Sequence, residues 1–276
     1  MVSLSKKIRS KQPHCIYCGG LVLGDSVDHV PPKGLFDGAW RPKGGEVTAC
    51  KECHAGTREM DDVAGFLSRI FPNPQTDEQR DDVVRSIASL ARNYPRLVEE
   101  LGPPEPADEH AAGAATFVAN GPILSSIMAT FGARIGFALH YRLTGEIIGP
   151  AGGAFVNWYS NAQRFEGNLP QEFLATLGPD YTMSQGRKNV EGQFAFAFAS
   201  SPDGVTAYWA TFRQSFAIAA FVSQSAANFA AAHPDYVARP GFLLGYSVKH
   251  LGSWPGINGV PFYRPYVVKR SWNGAA

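Results

Sequence analysis

Residues 15–62 read CIYCGGLVLGDSVDHVPPKGLFDGAWRPKGGEVTACKECHAGTREMDD, and they contain all four cysteines of the chain. This stretch contains two Cys-x-x-Cys pairs, which are Cys15 with Cys18 and Cys50 with Cys53. The dipeptide Asp28-His29 lies between the pairs, and His54 follows the last cysteine directly. Two such pairs supply the four thiolates of a closed tetrahedral zinc site, and metal binding stabilises small segments that have few apolar side chains. We therefore predict a structural zinc ion here.

The four cysteines could instead form two disulfides or a thiol redox site. Disulfides are disfavoured in a chain that reads as intracellular. A redox site needs only one Cys-x-x-Cys pair and leaves the second pair without a role. Structural zinc is the interpretation that uses all four thiols.

The bulk composition indicates a globular protein. The chain has 276 residues, of which 45% are hydrophobic, which is enough for a substantial core and gives a prior of about two domains. The net charge of +1 neither indicates nor excludes a nucleic-acid partner. The basic start has no apolar segment of the secretory type, and the longest uninterrupted apolar run, residues 216–222, is too short to span a bilayer. We expect a cytoplasmic protein that does not enter a membrane.

The zinc-binding stretch predicts short strands followed by a helix. Residues 21–23 and 26–30 read as strands, and residues 46–49 read as a return strand before the second cysteine pair. A helix is predicted over residues 51–70. Residues 1–71 are therefore predicted to form one small module.

The remaining sequence predicts a larger domain. Residues 76–79 form a capping box that opens a helix, and residues 72–112 are interpreted as this helix with a linker. Apolar residues recur at helical spacing over residues 122–143. An antiparallel meander is then predicted from three strand-like segments, residues 193–199, 205–213 and 215–222. The prediction is an α+β fold, with a small zinc-stapled module followed by a helical and antiparallel-sheet domain over residues 113–276.

Three phenylalanines alternate along the first strand of this meander. Phe194, Phe196 and Phe198 share one face, which is typical of half of a sheet core. A stacking platform for nucleic-acid bases is the alternative. The core interpretation is favoured.

The Asp28-His29 pair indicates hydrolytic chemistry. Hydrolysis of a phosphodiester needs a deprotonated water, positive charge at the phosphate and stabilisation of the leaving oxygen. Neighbouring residues of a strand point to opposite faces, so Asp28 and His29 can serve one site only where the strand is irregular or ends. Pro31 and Pro32 predict such an end directly after this pair.

In combination, these motifs resemble those of the HNH endonucleases. The shared pattern is Cys-x-x-Cys, then Asp-His-Val-Pro-Pro, then Ala-Cys-x-x-Cys-His, and it covers about residues 13–65. Many members of that family have a ββα-metal core with a four-cysteine zinc. The resemblance implies that His29 is a general base and that Asp28 and His54 hold a catalytic Mg²⁺ or Mn²⁺ ion. It also implies a nucleic-acid substrate, with DNA as the expectation.

The second half of the chain has a fainter resemblance to the C-terminal regions of uncharacterised bacterial and phage HNH proteins. This resemblance is carried by the helix that ends at residues 138–145 and by the meander that follows it. It implies a phage or bacterial defence setting and no named activity for this half.

The sequence departs from the family pattern at one position. The family usually has an asparagine a few residues before the second cysteine pair, but this chain has no Asn between Asp28 and His54. Glu46 or Thr48 occupies that region, and either could orient the histidine. A catalytically inactive zinc-stapled module that binds nucleic acid or protein is therefore the alternative function.

Two basic residues are predicted to contact phosphates. Lys33 lies just beyond the end of the strand that carries Asp28 and His29, and Arg58 lies one helical turn beyond His54 in the predicted helix. Homodimerisation is left open.

Overall fold

The computed structural model describes residues 3–40, 43–70, 76–102, 105–106, 115–116, 121–165, 167–185, 188–230 and 237–248. The helices are α1 Leu4–Lys11, α2 Lys51–Ala55, α3 Arg58–Ile70, α4 Asp77–Asn93, α5 Pro95–Leu101, α6 Pro122–Thr144, α7 Asn161–Phe165, α8 Gln171–Thr176 and α9 Ala227–Ala230. The strands are β1 Ser26–His29, β2 Glu46–Ala49, β3 Glu105–Pro106, β4 Ala115–Thr116, β5 Gly153–Ser160, β6 Tyr181–Thr182, β7 Ser184–Gln185, β8 Lys188–Asn189, β9 Phe194–Ser200, β10 Val205–Phe212, β11 Phe216–Ser223 and β12 Val237–Ala238. This mixture of helices and antiparallel strands confirms the α+β class.

The first part of the chain forms a hairpin followed by two helices. Strands β1 and β2 pair antiparallel, with Asp28 opposite Val47 and His29 opposite Glu46. The prediction of one helix over residues 51–70 was wrong, because the chain turns at Gly56 and Thr57 between α2 and α3. At Gly56 the backbone packs so closely on the carbonyl oxygen of Leu243 that a Cβ would lie 2.5 Å from it.

The predicted strand over residues 21–23 was also wrong. This segment closes the first cysteine turn, in which Leu21 N–H donates to the Cys18 carbonyl and Cys15 N–H donates to the Val22 carbonyl. Leu23 forms only an isolated bridge with His14. Because the backbone groups of Leu21 and Val22 are used in this turn, residues 21–23 do not pair as a regular strand.

The predicted capping box is present at the start of α4. The Thr76 side chain accepts from Gln79 N–H over 3.2 Å, and the Gln79 side chain accepts from Thr76 N–H over 3.3 Å. Near the end of this helix, the Tyr94 hydroxyl donates to Asp62 of α3. Residues 103–104, 107–114 and 117–120 lie outside the described residues, and with them most of the predicted linker.

A six-stranded antiparallel sheet organises the second half. Its order is β12-β5-β11-β10-β9-β6, and the predicted meander is confirmed as β9, β10 and β11. Phe194 and Phe196 are buried, and Phe198 packs against the same core from a partly buried position. The three phenylalanines therefore belong to the core, as the favoured interpretation expected.

Helix α6 packs tightly across one face of this sheet. A Cβ at Gly132 would lie 2.4 Å from Val156 Cγ1, and a Cβ at Gly136 would lie 2.9 Å from Ala220 Cβ. Both glycines therefore let the helix approach the strands closely. By length and composition α6 could cross a membrane, but 83% of its most apolar stretch is buried inside the fold, as in a core helix.

One hydrophobic core links the two halves of the chain. It includes Met60 and Phe66 of α3, Phe131 of α6 and Phe212 of β10. Helix α6 thus lies between the N-terminal module and the sheet. The division at residues 71 and 112 into separate domains stays a prediction.

Candidate functional site: a four-cysteine cluster beside a polar groove

The four cysteines form one compact and buried cluster. Cys15 precedes a 3₁₀ turn over Ile16–Cys18, of which Cys18 is the last residue, and Gly19 and Gly20 close this turn with positive φ angles of 66° and 76°. At the second pair, Cys50 is the N-cap of α2, and its Sγ accepts from Cys53 N–H over 3.5 Å. The tight turns at both pairs point the sulfur atoms toward one another.

The geometry of this cluster suits a metal ion. All four Sγ atoms lie within 4.8 Å of one another, and Cys18 Sγ is 3.4 Å from Cys53 Sγ and 3.7 Å from Cys50 Sγ. A tetrahedral zinc ion with Zn–S bonds of about 2.3 Å separates its sulfur ligands by roughly 3.8 Å. The four cysteines are therefore arranged to bind a metal ion such as zinc.

A groove of about 610 Å³ opens beside this cluster. Its walls contain the predicted site residues Asp28, His29, His54 and Lys33. The groove is also lined by residues that the sequence analysis did not single out or left open, namely Leu4, Pro32, Trp40, Lys43, Glu46 and Asp61. Arg58 lies outside the set of described residues that line it, since the turn at Gly56 breaks the helical spacing between His54 and Arg58.

Asp28 is buried and receives four hydrogen bonds from described residues. Oδ2 accepts from the Tyr17 hydroxyl over 2.7 Å and from Arg134 Nε over 2.8 Å. Oδ1 accepts from Arg134 Nη2 over 2.7 Å and from His29 N–H over 2.8 Å. Burial alone would raise the pKa of Asp28, but the charge and hydrogen bonds of Arg134 hold it below its ordinary value. Asp28 is thus ionised and held in one orientation.

Arg134 is a residue of the site that the sequence analysis missed. It lies in the middle of α6 with 0% exposure, and it also donates from Nη2 to the His29 carbonyl over 3.1 Å. Gly132 and Gly136 face the sheet, so Arg134, two residues from each, faces the opposite side of the helix, toward the hairpin. The sequence could have revealed Arg134 as a charged residue within an apolar helical segment, because arginine is almost never buried without a partner.

Asp61 of α3 is the second missed residue. It accepts a hydrogen bond from Arg134 Nη1, and its side chain is 22% exposed at the groove. Burial raises the pKa of Asp61 to about 7 with a contribution from the charge of Asp28, although Arg134 acts in the opposite direction. The sequence offered no signal that separates Asp61 from the neighbouring Asp62.

His54 is held at the edge of the groove. Its Nδ1 is 2.5 Å from Ser26 Oγ, at the first residue of β1. Its Nε2 lies on the side of Asp28, 4.0 Å from Oδ1. The hydroxyl of Ser26 therefore fixes the ring so that the second nitrogen faces the site.

Two residues, Glu46 and Thr48, were considered in place of the asparagine of HNH endonucleases, and they take different positions in the strand register. Glu46 is the cross-strand partner of His29 and lines the groove. Thr48 is buried opposite Val27, and its hydroxyl donates to the Gln12 carbonyl over 2.6 Å. Glu46 is therefore the residue available to the site, and Thr48 ties the hairpin to the segment before the first cysteine pair.

We compared the chain with protein-family models, with curated proteins and with solved structures. None of them matches this protein.

Proposed function

We propose that this protein is a metal-dependent endonuclease that hydrolyses phosphodiester bonds in nucleic acid, with DNA as the expected substrate. The observation that carries the proposal is the convergence of His29, His54 and Lys33 on one groove beside the four-cysteine cluster. A hairpin followed by helices, with a histidine at the end of the first strand, is the arrangement that the HNH resemblance implies.

The residues of the groove take different roles in this proposal. His29 accepts the proton of the attacking water, as a general base worth about 10² to 10⁴ in rate. Glu46, directly across the hairpin, takes the position of the missing asparagine and orients His29. Lys33 and Lys43 line the same groove and offer positive charge to the phosphates. The four cysteines hold a structural zinc ion that fixes the hairpin and α2 together.

The catalytic ion fits its assigned ligands only in part. The resemblance assigns Mg²⁺ or Mn²⁺ to Asp28 and His54, and His54 Nε2 lies 4.0 Å from Asp28 Oδ1. The four hydrogen bonds to Asp28 use the acceptor positions that a carboxylate has. A metal ion at Asp28 must therefore displace one protein donor.

Cleavage of supercoiled plasmid tests the proposal. Purified protein is incubated with the plasmid in EDTA, Mg²⁺ or Mn²⁺, beside the variants His29→Ala and His14→Ala. His14 is a matched control because it precedes the first cysteine pair and lies outside the groove lining. Nicking that requires the metal, persists in His14→Ala and is lost in His29→Ala supports a nuclease with His29 as its base.

A binding module without catalysis is the second candidate. The saturation of Asp28 by Arg134, Tyr17 and the His29 amide favours it, because this carboxylate then has a structural task. This candidate predicts no cleavage with any of the metals and salt-dependent binding of DNA fragments that His29→Ala leaves unchanged. The plasmid assay, followed by a binding titration at two salt concentrations, separates the two functions.

A further inference from the structure

We propose that Arg134 is a positioning residue of the candidate site, through which the second half of the chain aligns Asp28 and the main chain of His29. The inference rests on the proposed function for its activity readout, and it assigns a role to the C-terminal half that neither the motifs nor the proposed reaction supplies.

The first argument is the pattern of contacts around the guanidinium. Nε and Nη2 of Arg134 donate hydrogen bonds to the two carboxylate oxygens of Asp28, and Nη2 also donates to the His29 carbonyl. Asp28 Oδ1 in turn accepts the His29 N–H. Arg134 therefore fixes the peptide groups on both sides of His29, either directly or through one carboxylate. A planar guanidinium can satisfy two oxygens in fixed geometry, which a lysine ammonium cannot do.

The second argument is the rigidity of the support. Arg134 is fully buried, and the close contacts of Gly132 and Gly136 with the sheet leave the helix little room to shift. The same side chain holds Asp61 at the other wall of the groove. One residue of α6 thus connects β1 and α3, so the geometry of the groove depends on the sheet behind α6.

The third argument separates positioning from a general role in joining the two halves. Arg213, which precedes β11, also joins the halves, since its Nη2 donates to Asp37 Oδ1 over 2.7 Å. It contacts the Leu35 carbonyl and Gln193 as well, and it lies outside the described residues of the groove. Arg213 therefore provides a control with the same charge and a similar bridging contact, but without a link to Asp28 or His29.

The test uses the full-length, zinc-loaded protein with Arg134→Met, Arg134→Lys and Arg213→Met. Zinc content and circular dichroism first establish that each variant is folded. Positioning predicts that Arg134→Met lowers kcat by about 10²-fold with little change in KM, because a small misplacement of catalytic groups has an effect of this size. Arg134→Lys should recover part of the loss, and Arg213→Met should cut at nearly the wild-type rate.

A second readout does not depend on cleavage. The His29 amide donates to Asp28 Oδ1, so its hydrogen exchange reports whether that carboxylate stays in place. We expect this amide to exchange about tenfold faster in Arg134→Met and to stay unchanged in Arg213→Met. If Arg134→Met does not fold, Arg134→Lys carries both measurements, with smaller effects in the same direction.

The outcomes are distinguishable. Equal loss of activity in Arg134→Met and Arg213→Met, or wild-type cleavage by Arg134→Met, overturns the positioning role. If the wild-type protein does not cut, the proposed function fails and the exchange of the His29 amide decides this inference alone. An unchanged exchange rate in the folded Arg134 variants then rejects it.

Discussion

The guanidinium of Arg134 forms a two-point ion pair with Asp28, in which Nε donates to Oδ2 over 2.8 Å and Nη2 donates to Oδ1 over 2.7 Å. Both side chains are buried, at 0% and 2% exposure. The pair joins the strand that carries the Asp-His motif to the central helix of the second half. It therefore couples the candidate site to the sheet.

Removal of this arginine should strongly destabilise the protein. Arg134→Met leaves the charges of Asp28 and Asp61 without their partner, and we expect the free energy of unfolding to fall by about 3 to 5 kcal/mol. Arg213→Met should cost about 1 kcal/mol, because its partner Asp37 is 43% exposed. Urea denaturation of the zinc-loaded proteins measures both values. Equal losses in the two variants would contradict the special role of the buried pair.

Asp61 should make stability depend on pH. Its pKa of about 7 in the folded protein lies above the unfolded value of about 3.9, so the folded state binds more protons between these pH values. The free energy of unfolding contributed by this group therefore falls as pH rises from about 4 to 7. The lowered pKa of Asp28 has the opposite effect, since it makes the free energy of unfolding rise with pH, and it does so below about pH 4.

Denaturant titrations at pH 6 and pH 8 measure the effect of Asp61. Asp61→Asn keeps an oxygen acceptor for Arg134 but has no ionisable proton. It should therefore reduce the fall in the free energy of unfolding between pH 6 and pH 8. Asp62→Asn is the neighbouring control, because Asp62 accepts from Tyr94 rather than from Arg134. An equally steep decline in wild-type protein and Asp61→Asn would show that another group is responsible.

The metal at the four-cysteine cluster should be structural. Cys50→Ser removes one of the four converging thiols, so we expect bound zinc to fall from about one ion per chain toward zero and the N-terminal module to lose its fold. His54→Ala should retain zinc, because His54 lies outside that cluster. Elemental analysis of the purified proteins measures the zinc content. Full zinc retention by Cys50→Ser would contradict the four-thiolate assignment.

Ser26 should influence the site through His54. Ser26→Ala removes the 2.5 Å contact with Nδ1, which frees the ring to turn, and loss of such a supporting contact typically lowers activity or metal affinity by about 10 to 100-fold. Plasmid cleavage at a series of Mn²⁺ concentrations measures both quantities. Ser10→Ala is the control, since Ser10 only donates to a carbonyl within α1. Identical metal dependence in Ser26→Ala and wild-type protein would reject this role.

The contact between α6 and the sheet should not accept a larger residue. A Cβ at Gly132 would lie 2.4 Å from Val156 Cγ1 and 2.9 Å from Ile218 Cγ2, so Gly132→Ala should lower stability by about 1 to 3 kcal/mol. Gly34→Ala is the control, because a Cβ there meets nothing within 4 Å. Thermal unfolding followed by circular dichroism compares the variants. A wild-type melting temperature for Gly132→Ala would show that α6 can move away from the sheet.

Features that depend on local spacing could be predicted from the amino-acid sequence. The two Cys-x-x-Cys pairs identified the metal cluster, because two residues between thiols suit one tight turn. Helical periodicity identified α6, alternation identified β9, and the turn residues 201–204 with the two segments after them identified β10 and β11. The proline pair after His29 predicted the end of β1, where Asp28 and His29 both reach the groove.

The residues that join this site from distant parts of the chain could not be predicted, because their positions depend on how the elements pack. Arg134 lies 106 positions from Asp28 along the chain, and its burial against that carboxylate follows from the packing of α6 between the sheet and the hairpin. The choice between Glu46 and Thr48 depended on strand register, because a two-residue shift would place Thr48 rather than Glu46 opposite His29. The break between α2 and α3 lies where Gly56 packs closely on the Leu243 carbonyl, a contact between residues far apart in the sequence. Local spacing encodes ligands and elements, whereas contacts between elements are fixed only when the whole core packs.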